Sequence, residues 1–206
     1  MENISEAVIK RLPIYYRNIC FMEAEGFEKI TSQTLAERAG NTSTQVRQDF
    51  YMCGGIDNYS ILSLKKCLCE LLGIGNKYKM IVIGAGNLGR AIISYKDFEN
   101  EGFFIEAAFD SNLTYEGMQI NGIPIMNVKL LDKYLEDNEI DILIIATPAK
   151  AAEEIFEKAV AGNVKGIWNF APVDLRSCDG VKVQNVHLND SLLTLSFRIN
   201  EKENYQ

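Results

Sequence analysis

Six residues, Gly84-Ala85-Gly86-Asn87-Leu88-Gly89, constrain the fold of this 206-residue chain more than any other stretch. They follow an apolar run at residues 80–83, which reads as a buried strand, and they open a segment that reads as a helix. In that setting each glycine has its own task. Gly84 allows the tight turn, Gly86 lets the backbone come close to a pyrophosphate, and Gly89 lets the helix pack against the strand. The free N–H groups at the helix start then face the phosphates. The spacing predicts an α/β unit that binds a dinucleotide.

The residues that follow extend this reading. A second strand at 105–109 ends at Asp110, 21 residues after Gly89. An acid there accepts hydrogen bonds from the adenosine ribose and repels a 2′-phosphate, which favours NAD over NADP. Ser111 adjoins it, and residues 110–113 contain no arginine to hold a phosphate. Residues 140–146 form a continuous apolar run, as strands buried on both faces require. A helix is predicted at 149–161 and further strands at 164–170 and 181–186. Strands alternating with helices give a doubly wound parallel sheet. Ligands bind outside the carboxyl ends of such strands, so Thr147-Pro148 and Asn169-Phe170 are candidates to line a nicotinamide pocket.

Ahead of this unit the chain reads as helical. Ser5 is placed to cap a helix toward Cys20, with a kink expected at Pro13. Ser32 is expected to cap a helix at 33–39 ended by Gly40, and Thr42 one at 43–50. Two short helices around a glycine turn form a helix-turn-helix pattern. The polar stretch 53–59 stands where a winged helix has its hairpin wing. Ser60 then caps a helix at 61–72, stopped by Gly73. The tail reads as one amphipathic helix at about 189–199. The expected organisation is a winged-helix domain at 1–75, a Rossmann domain at 76–188, and a C-terminal helix and tail at 189–206.

Composition narrows the function. The chain is 47% hydrophobic, enough for a sizeable core, yet no apolar run reaches membrane-spanning length. The N-terminus does not resemble a signal peptide, so a cytoplasmic location is expected. Five cysteines argue for reduced thiols, and a single histidine, His187, excludes a histidine-rich metal site, so no metal is expected. The net charge of −7 counts against a generic nucleic-acid binder. Dehydrogenases commonly carry an acid–base group beside the nicotinamide. Here there is no Tyr-x-x-x-Lys motif, and no sizeable second domain follows the sheet. The pattern suits a protein that reads its cofactor and is not an enzyme.

Several segments together resemble the Rex family of redox-sensing transcriptional repressors. They are Lys10-Arg-Leu-Pro-Ile-Tyr-Tyr-Arg17, Gln45-Val-Arg-Gln-Asp49, Ile83-Gly-Ala-Gly-Asn-Leu-Gly-Arg90, Ala107-Ala-Phe-Asp110, Lys165-Gly-Ile-Trp-Asn-Phe-Ala-Pro172 and Leu193-Thr-Leu-Ser-Phe197. The resemblance spans about residues 4 to 198. It implies NAD(H) as cofactor and a homodimer whose C-terminal helix swaps across to pack between the partner's two domains. It further implies a palindromic operator DNA that is released when NADH closes the dimer. It makes 43–50 the recognition helix, with Thr44, Gln45, Arg47 and Gln48 toward DNA. Arg17 and Tyr95 match residues of the family's switch, Tyr95 lying near the nicotinamide.

Three positions depart from the family pattern. Gln48 stands where a lysine is usual. The wing segment is short and contains no Lys or Arg. His187 stands where the family has the aspartate that partners the switch arginine, and a neutral His187 could only accept a hydrogen bond from Arg17. Residues 1–75 hold 8 Lys and Arg against 9 Asp and Glu, few cations for phosphate contacts. A divergent NAD(H) sensor acting through a protein partner is therefore the alternative reading, with an NAD-dependent oxidoreductase behind it.

Overall fold

The computed structural model describes residues 4–52, 60–178 and 180–203. The chain divides into two compact units, Met1–Asn76 and Lys77–Gln206.

The described part of the first unit holds four helices: α1 (Glu6–Ala24), α2 (Ser32–Ala39), α3 (Ser43–Met52) and α4 (Ile61–Leu72). Gly40, in the left-handed region at φ 68°, ends α2, and the Thr42 hydroxyl accepts from the Gln45 N–H at 3.1 Å to start α3. The pair is a helix-turn-helix. Ser60 caps α4 by accepting from the Ser63 N–H, and Gly73 closes it at φ 69°.

Three local expectations are corrected. The cap of α2 is Thr31, whose hydroxyl accepts from the Thr34 N–H at 3.1 Å, and Ser32 is the first helical residue. Ser5 has the extended backbone of an N-cap, but its side chain makes no capping bond; its carbonyl accepts from Val8 and Ile9 instead. Finally, α1 runs on past Cys20 to Ala24, and Pro13 sits inside it without ending it. The carbonyl that proline leaves without its usual donor belongs to Ile9, an exposed residue, so water can satisfy it. Tyr15, Ile19 and Met22 of α1, Leu35 of α2, Phe50 of α3 and Leu64 and Leu68 of α4 form the core, all but fully buried. The expected wing, 53–59, lies outside the described residues.

The second unit is built on a seven-stranded sheet in the order β3-β4-β2-β1-β5-β6-β7. Its strands are β1 (Tyr78–Ile83), β2 (Phe103–Asp110), β3 (Gln119–Ile120), β4 (Ile123–Asn127), β5 (Ile142–Ile145), β6 (Gly166–Asn169) and β7 (Lys182–Asn185). All neighbours pair in parallel except β3 with β4. The six parallel strands follow the dinucleotide-binding order, and the winding reverses beside β1. Among the described residues of this unit there are five α-helices: α5 (Asn87–Ile93), α6 (Asp97–Asn100), α7 (Leu131–Asp137), α8 (Ala149–Ala161) and α9 (Leu188–Glu203).

Strand alternation sets the two faces. Leu143 and Ile145 of β5 pack with Leu131 and Leu135 of α7 and with Ala152, Ile155 and Ala159 of α8. Ile144 points the other way, into a cluster with Val82, Ile92 and Ile93. Burying each of the leucines, isoleucines and valines among them stabilises the fold by roughly 1.5–3 kcal/mol. By contrast, every described side chain of α9 is exposed.

Candidate functional site

The glycine loop leaves the carboxyl end of β1 at the reversal point. Gly84 has φ +102°, and a Cβ there would lie 2.5 Å from the Ala146 carbonyl oxygen. A Cβ on Gly89 would lie 1.8 Å from the Gly84 carbonyl oxygen. Two of the three glycines are therefore demanded by the protein's own backbone. Gly86 differs: its φ is −71°, it is exposed, and a Cβ there would meet nothing within 4 Å. The space in front of Gly86 is open. The N–H groups that open α5 have no intrahelical partner, and Asn87 and half-buried Leu88 stand beside them.

The loop is pegged from two sides. The Ala85 N–H donates to Asp110 Oδ2 at 2.6 Å, and Arg90 Nε donates to the Ala85 carbonyl at 2.8 Å. Asp110 Oδ1 accepts from the Asn112 N–H at 2.7 Å, next to exposed Ser111. Arg90 lies one turn into α5, with its guanidinium 4.3 Å from the Tyr115 ring centroid. The sequence signal for it was the residue directly after the third glycine.

Across the reversal, Thr147 follows β5, with its methyl carbon 3.1 Å from where a Gly84 Cβ would sit. Its hydroxyl is buried without a hydrogen-bond partner among the described residues. Buried polar atoms are nearly always paired, so this hydroxyl suits a polar ligand atom. Pro148 follows it, exposed, at the start of α8.

Asn169 differs from the expected lining. It is fully buried, and its amide donates to the Val173 carbonyl at 2.7 Å and to Asn185 Oδ1 at 2.8 Å, while its oxygen accepts from the Ala171 N–H at 3.0 Å. Its side chain shapes the turn after β6 and leaves Phe170 half-buried beyond it. Rings run in series from there: Phe170 to Trp168 at 4.6 Å, Trp168 to Phe98 at 5.8 Å, and Phe98 to exposed Tyr95 at 4.8 Å. The open approach at Gly86, the orphan hydroxyl of Thr147 and the acid at Asp110 fit a dinucleotide.

His187 departs from its expected chemistry. Its Nε2 lies 2.8 Å from Asp174 Oδ1. A carboxylate only accepts, so the ring donates. The hydrogen bond to Asp174 holds the imidazole pKa above its ordinary 6.5, with the Asp174 and Asp190 charges adding to it against some desolvation. The folded state favours the charged ring, so the pair stabilises fully below about pH 6.5 and its contribution is lost as pH rises through the folded value. The sole histidine is expected to titrate above 6.5 by proton NMR and to return to about 6.5 in Asp174→Asn. An unchanged midpoint in that variant would remove the pair from the account.

In the first unit, Thr44, Arg47 and Gln48 are exposed on α3. Tyr51, 80% exposed, shares their face at i, i+3, i+4 and i+7. The sequence reading stopped α3 at Phe50 and missed it, although the spacing was there to count. Gln45 is half-buried, with its amide nitrogen 3.1 Å from Asp49 Oδ1. Arg17 is exposed on α1, with no ion pair among the described residues.

Comparison with known proteins decides the family. A family model described as a putative DNA-binding protein N-terminus matches residues 3–50, and one described as a CoA binding domain matches residues 75–173. The redox-sensing transcriptional repressor Rex of Clostridium tetani is 42% identical over 98% of this chain and 97% of its own length. The chain belongs to the Rex family. The Rex protein of Clostridium beijerinckii is also 42% identical, over 98% of each chain. Among solved structures, the Rex-family repressor RSP in complex with β-NADH superposes with a TM-score of 0.93 at 39% identity, covering 100% of this chain and 98% of that one. RSP in complex with β-NAD+ and operator DNA superposes with a TM-score of 0.91 at 38% identity, covering 100% and 96%. Rex membership therefore embraces both units.

Proposed function

We infer that this Rex-family chain is a redox-sensing transcriptional repressor that binds operator DNA as a homodimer and leaves it when NADH binds. The observation that carries the reading is its match, over essentially its full length, to a repressor seen with β-NADH and with β-NAD+ and operator DNA. In this chain residues 77–188 hold the dinucleotide and residues 1–76 read DNA. Gly86 and the first turn of α5 receive the pyrophosphate, with Asp110 and Ser111 at the adenosine ribose. Thr147, Pro148, Phe170 and Tyr95 surround the nicotinamide, and Asn169 shapes their turn. The protein acts as a regulator, not an enzyme: its equilibrium between DNA-binding and released forms is biased by different affinities for the two cofactor forms.

The homodimer rests on α9. Leu188, Leu192, Leu195 and Ile199 form one apolar stripe, and Leu193 and Phe197 a second, all more than half exposed. At about 100° per residue the stripes lie roughly 150° apart, so one flat neighbour cannot cover both. A second copy that encloses the helix can. Leu192→Asp combined with Leu195→Asp is expected to shift the light-scattering mass from two chains to one; a dimer surviving both changes would place the contact elsewhere.

The test of function is fluorescence anisotropy of a labelled family-type palindromic duplex at low salt, with and without NADH. Tight binding released by NADH is the expected result, with Trp168 emission quenched in parallel. Quenching without DNA binding in either state would favour the protein-partner reading. That reading is prompted by the 8 cations and 9 anions of residues 1–75.

A further inference from the structure

Asp49 is one of two fully buried polar residues among those described, and it lies on the DNA-reading helix. Its two oxygens accept four hydrogen bonds. Oδ2 takes Arg11 Nε at 2.6 Å and the Tyr15 hydroxyl at 2.8 Å. Oδ1 takes Arg11 Nη2 at 2.8 Å and Gln45 Nε2 at 3.1 Å. A carboxylate offers about four lone-pair sites, so its capacity is filled.

Burial alone would push the Asp49 carboxyl up, but the hydrogen bonds from Arg11, Tyr15 and Gln45 outweigh it and hold the group below the usual carboxylate range. The carboxylate is therefore ionised and accepts only. That settles which end of the Gln45 amide faces it. The nitrogen must turn inward, which leaves Oε1 on the edge of the amide away from Asp49.

That amide oxygen is an acceptor, and in the major groove it selects a base with an exocyclic amino group. Adenine N6 and cytosine N4 donate there, whereas guanine O6 and N7 and thymine O4 accept. The second N–H of the amide complements adenine N7, so adenine is favoured over cytosine. We propose that Gln45 is a pre-oriented adenine reader and that Asp49 is the positioning residue that fixes which edge of its amide is shown. The proposal rests on the DNA-reading function above and deepens it.

The experiment is selection from a randomised duplex pool with the full-length protein, its Gln45→Met variant and its Gln45→Glu variant. The expected wild-type motif contains one adenine in each half-site that Gln45→Met no longer fixes, while the other positions persist. Gln45→Glu cannot donate to Asp49 and shows only acceptors, so the same position is expected to turn toward cytosine. Replacing that adenine with purine, which lacks the amino group, is expected to weaken wild-type binding about 10-fold or more and to leave Gln45→Met unaffected. A guanine at the Gln45-dependent position would overturn the orientation. An adenine that Gln45→Met still fixes would overturn the assignment to Gln45 while leaving DNA reading intact. A wild-type protein that enriches no sequence would overturn the DNA-reading function and this inference with it.

Discussion

Gly89→Ala is expected to weaken NADH binding roughly 100-fold and to destabilise the second unit, whereas Gly86→Ala should weaken NADH binding with the fold intact. The added Cβ on Gly89 would sit 1.8 Å from the Gly84 carbonyl oxygen, with Gly84 C at 3.0 Å and Val82 Cγ1 at 3.6 Å. The nearest atoms are backbone and cannot swing away as a side-chain end can. The turn between β1 and α5 must move, at an overpacking cost of about 1–3 kcal/mol. Moving it also disturbs the N–H groups that open α5, each worth about 1.5–3 kcal/mol against a charged acceptor. A loss of roughly 100-fold in NADH affinity follows if one or two are misaligned. Gly86 has an ordinary φ of −71° and empty space at its Cβ position, so alanine there strains nothing and fills only the ligand's approach. Calorimetric titration with NADH beside thermal melting separates the two. Equal melting temperatures with NADH bound as tightly by Gly89→Ala would contradict the close approach of α5 to the turn.

The same contrast shows what could be read from the residues. The three glycines, the strand before them and the acid 21 residues later depend on spacing along the chain, and spacing is what a sequence displays. The hydroxyl of Thr147 became informative only once the fold showed it buried and without a partner. Asn169 was placed correctly at the end of a strand, but its side chain is turned to Val173, Ala171 and Asn185, neighbours brought in by a loop and by β7. His187 was read as an acceptor for Arg17 because its partner Asp174, 13 positions earlier, had no motif to announce it. Residues 119–127 contained a plain signal that went unread. Asn121 and Gly122 both have positive φ, at 51° and 85°, and join β3 to β4 as an Asn-Gly hairpin. The capping misplacement at Ser32 has a different cause. Thr31 and Ser32 are both good caps, and only the backbone decides which one stays extended.

Asp49→Ala is expected to lower the thermal transition of the first unit by more than about 10 °C while NADH binding persists. The substitution removes the acceptor for Tyr15, whose hydroxyl lies in a fully buried residue, and for Arg11, whose side chain is only 20% exposed. A buried donor left unpaired costs about 1–3 kcal/mol, and breaking a buried ion pair from one side about 3–5 kcal/mol. Arg11 retains some contact with water, so the lower end of that range applies. Folded domains have only about 5–15 kcal/mol in total, and in a unit of this size each kcal/mol moves the transition by roughly 4–8 °C. The glycine loop lies in the other unit, so its ligand should still bind. Arg11→Met gives the converse, an ionised and buried Asp49 without its guanidinium; its carboxyl would rise and the variant should regain stability as pH falls. Melting both variants with and without NADH checks the argument. A first transition unmoved in Asp49→Ala would mean that α1 and α3 are held by the apolar packing of Tyr15, Val46 and Phe50 alone, with the four-donor carboxylate adding nothing to the fold.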